Sequence, residues 1–473
     1  MLITSSRFLH FLIILITSFL FLIDNQIIPF AWFFLVQILN FIIPIFYEEN
    51  YPFELLVRIF LLGLPGLFTS LAFAIDPLVY RSHYLALQIQ TPLTSVWLCV
   101  ICIIASYASL LGSYTSSKKI LVIDSNKYNL FISNGRAISA LFFCFIFSLI
   151  ATFRSGSIIF TGDNYSSGAN FFVTPFEGVI GVFQNISASF VVLHVYHLIR
   201  YRFFLRGFIF SSALFFLYFL PILTGQRADY LIGFLLALFL SGKILLLSIK
   251  QDFSFRNNKF TKILASLLLL FIVFCFARTL ASFRVGETAS FLDAFVQNIF
   301  HPMDLLVVNY GQFKVFYTET LNHVIGGIYS FTHKLLLQNK PFLLGASYLD
   351  YLPRLLPKFI RPPEIVGLEW QTDIDGMTVT QGGVFEAAES FYNFSLPGVF
   401  AISFLISKFL SSLRFVPIFA PWPHVLYLTV FLESFRYIWY QTFALVRIIS
   451  IFLVFLFLLS FVFSLLNSNK VFR

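Results

Sequence analysis

Long apolar runs recur along almost the whole chain, each about 17 to 25 residues long and separated from the next by a short polar link. A helix needs a run of that length to cross the hydrocarbon core of a bilayer, whereas strands of a membrane barrel show much shorter alternating patterns. The pattern predicts an all-α polytopic membrane protein. About twelve spans are expected, at residues 7–23, 27–46, 54–75, 93–113, 137–153, 178–199, 207–223, 230–248, 262–281, 395–411, 415–432 and 438–466.

The composition supports a single integral membrane domain over residues 1–473. Hydrophobic residues make up 59% of the chain and charged residues 11%, which is more apolar surface than a soluble core can absorb. The first run lacks a small-residue cleavage site before Asp24, so we expect a span there and not a signal peptide. The cysteines all fall inside apolar runs and are expected to be ordinary buried residues: Cys99, Cys102, Cys144 and Cys275.

The basic residues predict the orientation of the spans. The net charge of +9 comes from small groups between spans and not from one patch, so a nucleic-acid partner is not expected. With the N-terminus inside, links such as "RYRFFLR" and "KQDFSFRNNKFTK" face the cytoplasm, and Arg58 counts among the cytoplasmic charges. Both termini are then cytoplasmic. The short outer links carry only Arg81, Arg154, Arg227 and Arg436.

One outer loop, residues 282–394, is long enough for a substantial structure outside the membrane. The stretches "FLDAFVQNIF", "DLLVVNYGQFKVF" and "HVIGGIYSFTHKLLL" have helix-like apolar spacing and predict short helices lying on the outer face. The proline cluster in "YLPRLLPKFIRPPEI" excludes a long regular helix and predicts a constrained loop that carries Arg354, Lys358 and Arg361.

Arginines collect at the outer ends of spans and in this loop. Guanidinium groups recognise phosphate through two parallel hydrogen bonds and keep their charge, so a lipid-linked phosphate or diphosphate is the candidate ligand. The alternative is that each arginine is an interfacial anchor that extends to the lipid headgroups. The residues concerned are Arg227, Arg278, Arg284, Arg354 and Arg361.

The stretch "TVTQGGVFEAAESFYNFSLPGVF" places two carboxylates next to a predicted span. Glu386, Glu389 and Asn393 are spaced i, i+3 and i+7, which puts them on one helix face. Pro397 and Gly398 predict a kink where the span begins. The two acids can supply a general base, bind cationic partners, or form ion pairs with the arginines that fix the loop in place.

Signals for a metal or a nucleotide cofactor are weak, and neither is expected. Asp373 and Asp375 form a D-x-D pair in "TDIDG", but a lone pair of this kind is common in polar loops. His301, His323 and His333 lack ligand spacing. The absence of a phosphate-binding glycine loop and of a G-x-S-x-G motif disfavours ATP hydrolysis and serine-hydrolase chemistry.

The many-span layout with a late outer loop resembles the bacterial oligosaccharide repeat-unit polymerases of the Wzy type. The resemblance rests on "TGQRADYLIGFLLALFL", "LLGASYLDYLPRLLPKFIRPPE" and "TQGGVFEAAESFYNFSLPGVF", while residues 1–200 resemble the family in hydropathy alone. It implies a glycosyltransferase of the bacterial inner membrane that polymerises O-antigen or a related surface polysaccharide on the periplasmic side. In such a reaction a sugar hydroxyl of one undecaprenyl-diphosphate-linked unit attacks the anomeric carbon of the growing chain, and undecaprenyl diphosphate leaves.

The resemblance also suggests roles for individual residues and partners. Arg227, Arg354 and Arg361 are the positions that can match arginines of the family, and Glu386 or Glu389 is the expected general base. The expected partners are the lipid-linked oligosaccharide, membrane lipid, a chain-length regulator and a flippase. The remaining expected contacts are Arg278, Arg284, Arg354 and Arg361 with the diphosphate, and Gln381, Tyr392 and Asn393 with the substrate.

Two other functions fit parts of the pattern. An O-antigen ligase uses the same lipid donor and the same kind of outer loop, although "GGVFEAAESFYNF" favours a polymerase. A flippase or other transporter is expected to place charges within many spans, whereas the apparent mid-span charges in this chain are few and Arg447 is the clearest.

Overall fold

Helices dominate the part of the chain that the structure, a computed structural model, describes. The described residues are 33, 35–41, 53–75, 92–115, 134–154, 177–223, 230–249, 275, 279, 291–301, 307–310, 313–316, 331–332, 334–335, 338–356, 362, 384–414, 422–439 and 442–471.

The first half of the chain forms long helices at the positions where the apolar runs predict them. Each helix begins and ends close to the polar links that bound its run, because charged and hydrogen-bonding side chains are costly within an apolar environment. In the described part these helices are α1 (Phe53–Ile75), α2 (Pro92–Thr115), α3 (Asn134–Arg154), α4 (Glu177–Arg200), α5 (Phe204–Leu223) and α6 (Leu231–Ile249).

The predicted outer loop contains short elements in its described residues. They are α7 (Phe291–Phe300), β1 (Val307–Tyr310), β2 (Phe313–Phe316), α8 (Ala346–Leu349) and α9 (Tyr351–Arg354). The two strands pair antiparallel, with Val307 opposite Phe316. The expected helix in "DLLVVNYGQFKVF" is therefore wrong, because valine, tyrosine and phenylalanine favour strands and two residues between the strands suffice for a hairpin.

The C-terminal part is again helical. It consists of α10 (Glu386–Arg414), α11 (Trp422–Leu432), α12 (Ser434–Trp439) and α13 (Phe443–Val471). Helix α11 is the described part of the span predicted at 415–432, and Glu433 separates α11 from α12.

Four helices in the described part are long and apolar enough to cross a membrane by length and composition: Thr94–Tyr114, Val179–Arg200, Phe204–Pro221 and Glu386–Leu413. These long apolar helices indicate a membrane protein. The number of spans and the orientation stay predictions, and most of the spans predicted at 7–23, 27–46 and 262–281 lies outside the described residues.

The helices pack around a core in which α2 is central. Helix α2 lies against α1 and α10, while α5 packs against α6 and α3 against α4. Glycines permit the closest of these contacts: a Cβ atom on Gly112 of α2 would lie 2.3 Å from the carbonyl oxygen of Phe404. Large apolar side chains on α3 and α5 are exposed instead, as expected of helix faces in contact with lipid: Ile138, Phe142, Phe145, Leu205, Ile209 and Phe216.

Candidate functional site

Although α10 as a whole has the length and composition of a span, it is a helical hairpin and not one continuous helix. The backbone leaves the helical region at Phe394 and at Ser395, whose φ is 61°. The Glu386 Oε1 atom lies 3.3 Å from the Ser403 Oγ atom, although 17 residues separate them. In a continuous helix 17 residues span about 25 Å, so the chain must reverse its direction between these two residues. We call residues 386–393 the short arm and residues 396–414 the long arm.

Two residues after the turn explain why the arms can fold together. Pro397 lacks a backbone donor and disfavours helix at the residue before it. At Gly398 a Cβ atom would lie 2.7 Å from the Ser390 carbonyl oxygen and 2.5 Å from the Phe394 Cβ atom, so the arms approach too closely for a side chain there. The kink predicted from Pro397 and Gly398 is confirmed, and it is sharp enough to reverse the chain.

The reversal carries both carboxylates into the bundle. Glu386 and Glu389 each have 0% of their surface exposed. They lie inside the bundle, and not merely next to the start of a span, because the short arm packs back alongside the long arm. Trp97 of α2 contacts Phe391 of the short arm, with ring centroids 5.5 Å apart, so α2 packs against this arm.

Glu386 forms a two-pronged ion pair with Arg58 of α1. The Arg58 Nη1 atom donates to Oε2 at 2.9 Å and Nη2 donates to Oε1 at 2.5 Å. The same guanidinium donates from Nε to Ser407 Oγ at 2.9 Å and from Nη1 to the Tyr437 hydroxyl at 3.1 Å. Arg58 therefore joins α1, both arms of α10 and α12.

The predicted placements of Arg58 on the cytoplasmic side and of Glu386 on the outer side cannot both hold. The Arg58 side chain is 1% exposed and buried in the bundle, whereas Arg200, Arg202 and Arg206, also counted as cytoplasmic, are exposed. The predicted topology puts Arg58 and Glu386 on opposite sides of the membrane, but their contact requires one depth. A charge five residues inside an apolar run was the available signal, since such charges usually face a partner in the bundle.

Glu389 is held by hydroxyl groups. Ser347 Oγ donates to its Oε1 atom at 2.8 Å, and the Tyr351 hydroxyl donates to Oε1 at 2.5 Å and also contacts Oε2. Burial and the neighbouring Glu389 carboxylate raise the pKa of Tyr351, so its hydroxyl stays protonated and remains a donor. Arg354, half-buried at the end of α9, lies close enough for its charge to act on Glu389.

Asn393 fixes the loop of α8 and α9 against the short arm. Its Nδ2 atom donates to Ser347 Oγ at 2.7 Å and to the Glu389 carbonyl oxygen at 2.9 Å, and its Oδ1 atom accepts from the Gly345 amide at 2.9 Å. Gly345 has a φ of 93°, which favours glycine. Ser347 and Tyr351 are thereby held on the carboxylate of Glu389.

Tyr392, the other predicted substrate contact on the short arm, stacks on Phe331 with ring centroids 4.7 Å apart. Its carbonyl oxygen accepts a hydrogen bond from the Leu343 amide at 3.2 Å. These contacts of Tyr392 and Asn393 are internal to the protein, and contact of either residue with a substrate stays a prediction.

Glu386, Glu389 and Asn393 lie on one helix, as the sequence predicts, but the two carboxylates have different partners.

The structure describes only some of the other predicted site residues. Of the arginines predicted to bind diphosphate, Arg354 is near this site. Within the described residues no group of three or more His, Cys, Asp or Glu side chains can hold a metal ion. Other predicted residues lie outside the described part of the chain: Arg227, Arg278, Arg284, Arg361, Asp373, Asp375 and Gln381.

A second buried carboxylate cluster is not predicted by the sequence motifs. Glu433, between α11 and α12, accepts a hydrogen bond at Oε1 from Asn185 Nδ2 at 2.7 Å. Asn185 Oδ1 in turn accepts from the Tyr218 hydroxyl at 2.7 Å. The cluster ties α4 and α5 to the break before α12, and Glu433 lies in the link between the predicted spans 415–432 and 438–466.

Comparison of the chain with protein-family models, with curated proteins and with solved structures gives no match.

Proposed function

We propose that the chain is a membrane glycosyltransferase that polymerises undecaprenyl-diphosphate-linked oligosaccharide repeat units on the periplasmic face of the bacterial inner membrane. The observation that carries the proposal is the carboxylate of Glu389, buried in an apolar helical bundle and bound by the hydroxyl groups of Ser347 and Tyr351. A carboxylate that accepts hydrogen bonds from hydroxyl groups can accept one from a sugar hydroxyl in the same way.

The two glutamates are suited to different tasks. Glu386 is bound by the planar fork of a guanidinium, which occupies both of its oxygens. Glu389 has exchangeable hydroxyl partners, so it is the better acceptor for the proton of the attacking sugar hydroxyl. Glu389 is accordingly the proposed general base, and Glu386 the proposed structural partner of Arg58.

The leaving group requires positive charge at the same place. A departing diphosphate gains negative charge, and preorganised cations stabilise such charge in a site from which water is excluded. Arg354 lies close enough for its charge to act on Glu389 and is the described residue proposed for this role. Arg227, Arg278, Arg284 and Arg361 belong to the proposal on the basis of the sequence.

The proposal requires the loop of α8 and α9 to move during the reaction. Glu389 is fully buried, and Ser347 and Tyr351 occupy the positions from which a substrate hydroxyl would approach. An acceptor sugar must displace one of these hydroxyl groups from the carboxylate.

Transport of a lipid-linked glycan is the second candidate, and the buried charges favour it. Arg58, Glu386 and Glu433 all lie in the bundle interior, where ionisable groups often line a pathway. An O-antigen ligase is a third candidate, because it would use the same donor and the same kind of base.

Reconstitution of the purified protein into liposomes with undecaprenyl-diphosphate-linked repeat units separates these functions. A polymerase produces a ladder of longer glycans on the lipid. A ligase transfers the glycan only when a lipid A core is added as the acceptor. A transporter moves the repeat unit across the bilayer without lengthening it. Repeat units that stay at their original length, at any ratio of protein to lipid, would overturn the proposal.

A further inference from the structure

We propose that Arg58 is a positioning residue: its ion pair with Glu386 sets the depth and rotation of the short arm and thereby places Glu389 for the reaction. The effect on activity rests on the function proposed above. The effect on the short arm itself does not.

The short arm is held at both of its ends by polar contacts, and Glu389 lies between them. At its first residue Arg58 binds both oxygens of Glu386. At its last residue Asn393 binds Ser347 and the Gly345 amide. Glu389 is one helical turn from Glu386, so a rotation or a shift of the arm at Glu386 would also move the Glu389 carboxylate.

Arg58 also fixes the short arm relative to its surroundings. Its Nε atom donates to Ser407 of the long arm, whose hydroxyl contacts Ser109 of α2. Its Nη1 atom reaches Tyr437 of α12, and the guanidinium carbon lies 5.5 Å from the centre of that ring. The guanidinium therefore fixes the position of Glu386 relative to α1, the long arm and α12.

Stability alone does not account well for an ion pair at this position. Replacing a buried ion pair with apolar side chains of similar volume is often neutral or stabilising, because both charges lose their hydration on burial. The pair does penalise alternative placements of the arm, since any shift leaves two buried charges without partners. The residues next to Glu386, Ala387 and Ala388, have small side chains. Their packing does little to favour one placement of the arm over another.

The test replaces the pair with apolar residues in the double variant Arg58→Met/Glu386→Leu. We expect a melting temperature in detergent at or above that of the wild type. The kcat for chain elongation should fall about 10- to 100-fold, as for other small misplacements of reacting groups. The KM for the lipid-linked donor should stay within about threefold, because the donor-binding arginines are untouched. Lys243→Met, at an exposed position on α6, is the matched control and should leave both constants unchanged.

A second variant and a second measurement keep the test decisive. Arg58→Lys keeps the charge but loses the fork, so kcat should be intermediate between the wild type and the double variant. Hydrogen–deuterium exchange of amides 386–393 should be faster in the double variant, with exchange in α2 unchanged.

A double variant with wild-type kcat and wild-type exchange would overturn the positioning role. A wild-type protein that elongates nothing, combined with faster exchange in the double variant, would refute the proposed function while supporting the role of Arg58 in placing the arm. If the double variant does not fold, wild-type kcat and wild-type exchange in Arg58→Lys would overturn the positioning role.

Discussion

Arg58 and Glu386, which are 328 residues apart in the sequence, form a bidentate ion pair inside the helical bundle, with N–O distances of 2.9 and 2.5 Å. The pair joins the first long helix of the described region to the start of the short arm. It shows that the acidic stretch before the predicted tenth span folds back into the protein.

Removing one member of this pair should strongly destabilise the fold. Arg58→Ala leaves the Glu386 carboxylate buried without its counterion, which typically costs about 3–5 kcal/mol. Lys243→Ala removes an exposed charge and should change the free energy of unfolding by less than about 0.5 kcal/mol. Denaturant or thermal unfolding in detergent measures both. Equal stability of the two variants would contradict the buried pair.

Two glycine substitutions should have opposite effects on stability. Gly112→Ala places a Cβ atom 2.3 Å from the Phe404 carbonyl oxygen, so α2 and the long arm must separate, at a cost of about 1–3 kcal/mol. Gly242→Ala meets no atom within 4 Å and should stabilise α6 by about 0.5–1 kcal/mol through the lower helix propensity of glycine. Unfolding curves of the two variants test the close packing of α2 on α10. A stabilised Gly112→Ala variant would rule that packing out.

The turn of the hairpin should prefer glycine to the serine that is present. Ser395 has a φ of 61° and a ψ of −159°, a conformation that costs a residue with a side chain about 1–3 kcal/mol. Ser395→Gly should therefore stabilise the protein by about 1 kcal/mol, and Ser395→Val should destabilise it because a β-branched side chain tolerates positive φ poorly. Melting temperatures of the two variants give the comparison. A continuous helix through residue 395 would reverse the order, since valine is then the better residue.

The long helices could be predicted from the sequence, and the hairpin could not. Helices α1 to α6 follow apolar runs whose ends are marked by polar residues nearby in the chain, so local information is sufficient. The short arm contains Glu386 and Glu389, so its sequence alone looks like the polar end of a loop. Its burial depends on Arg58, which lies in another helix, and on Gly398, where the missing side chain allows the arms to touch.

Only part of the candidate site could be predicted, because most of its contacts join distant parts of the chain. The spacing of Glu386, Glu389 and Asn393 correctly placed all three on one helix. It did not reveal that Glu386 pairs with Arg58 or that Ser347 and Tyr351 bind Glu389, because these contacts join segments about forty residues or more apart. Arg58, a charge within an apolar run, was the sequence signal of the first of these contacts.

Locking the loop of α8 and α9 onto the short arm should stop elongation. Ser347 and Asn393 are joined by a 2.7 Å hydrogen bond, so a short bis-thiol crosslinker in the Ser347→Cys/Asn393→Cys variant should hold Tyr351 over Glu389. We expect the crosslinked form to have less than about one tenth of the elongation rate of the uncrosslinked form, since the carboxylate must be uncovered. The single variants control for the loss of each side chain, and the native cysteines are buried. Equal rates with and without the crosslink, once its formation is verified by mass spectrometry, would exclude a required movement of this loop.

The elongation rate of Glu389→Gln in liposomes that contain lipid-linked repeat units tests the central claim most directly. Glutamine keeps the size of the side chain but cannot accept the proton, so the rate should fall about 100-fold or more. Glu433→Gln, which changes a buried glutamate in another part of the bundle, should keep elongating at close to the wild-type rate. If Glu389→Gln made glycan ladders as fast as the wild type, Glu389 would not be the general base.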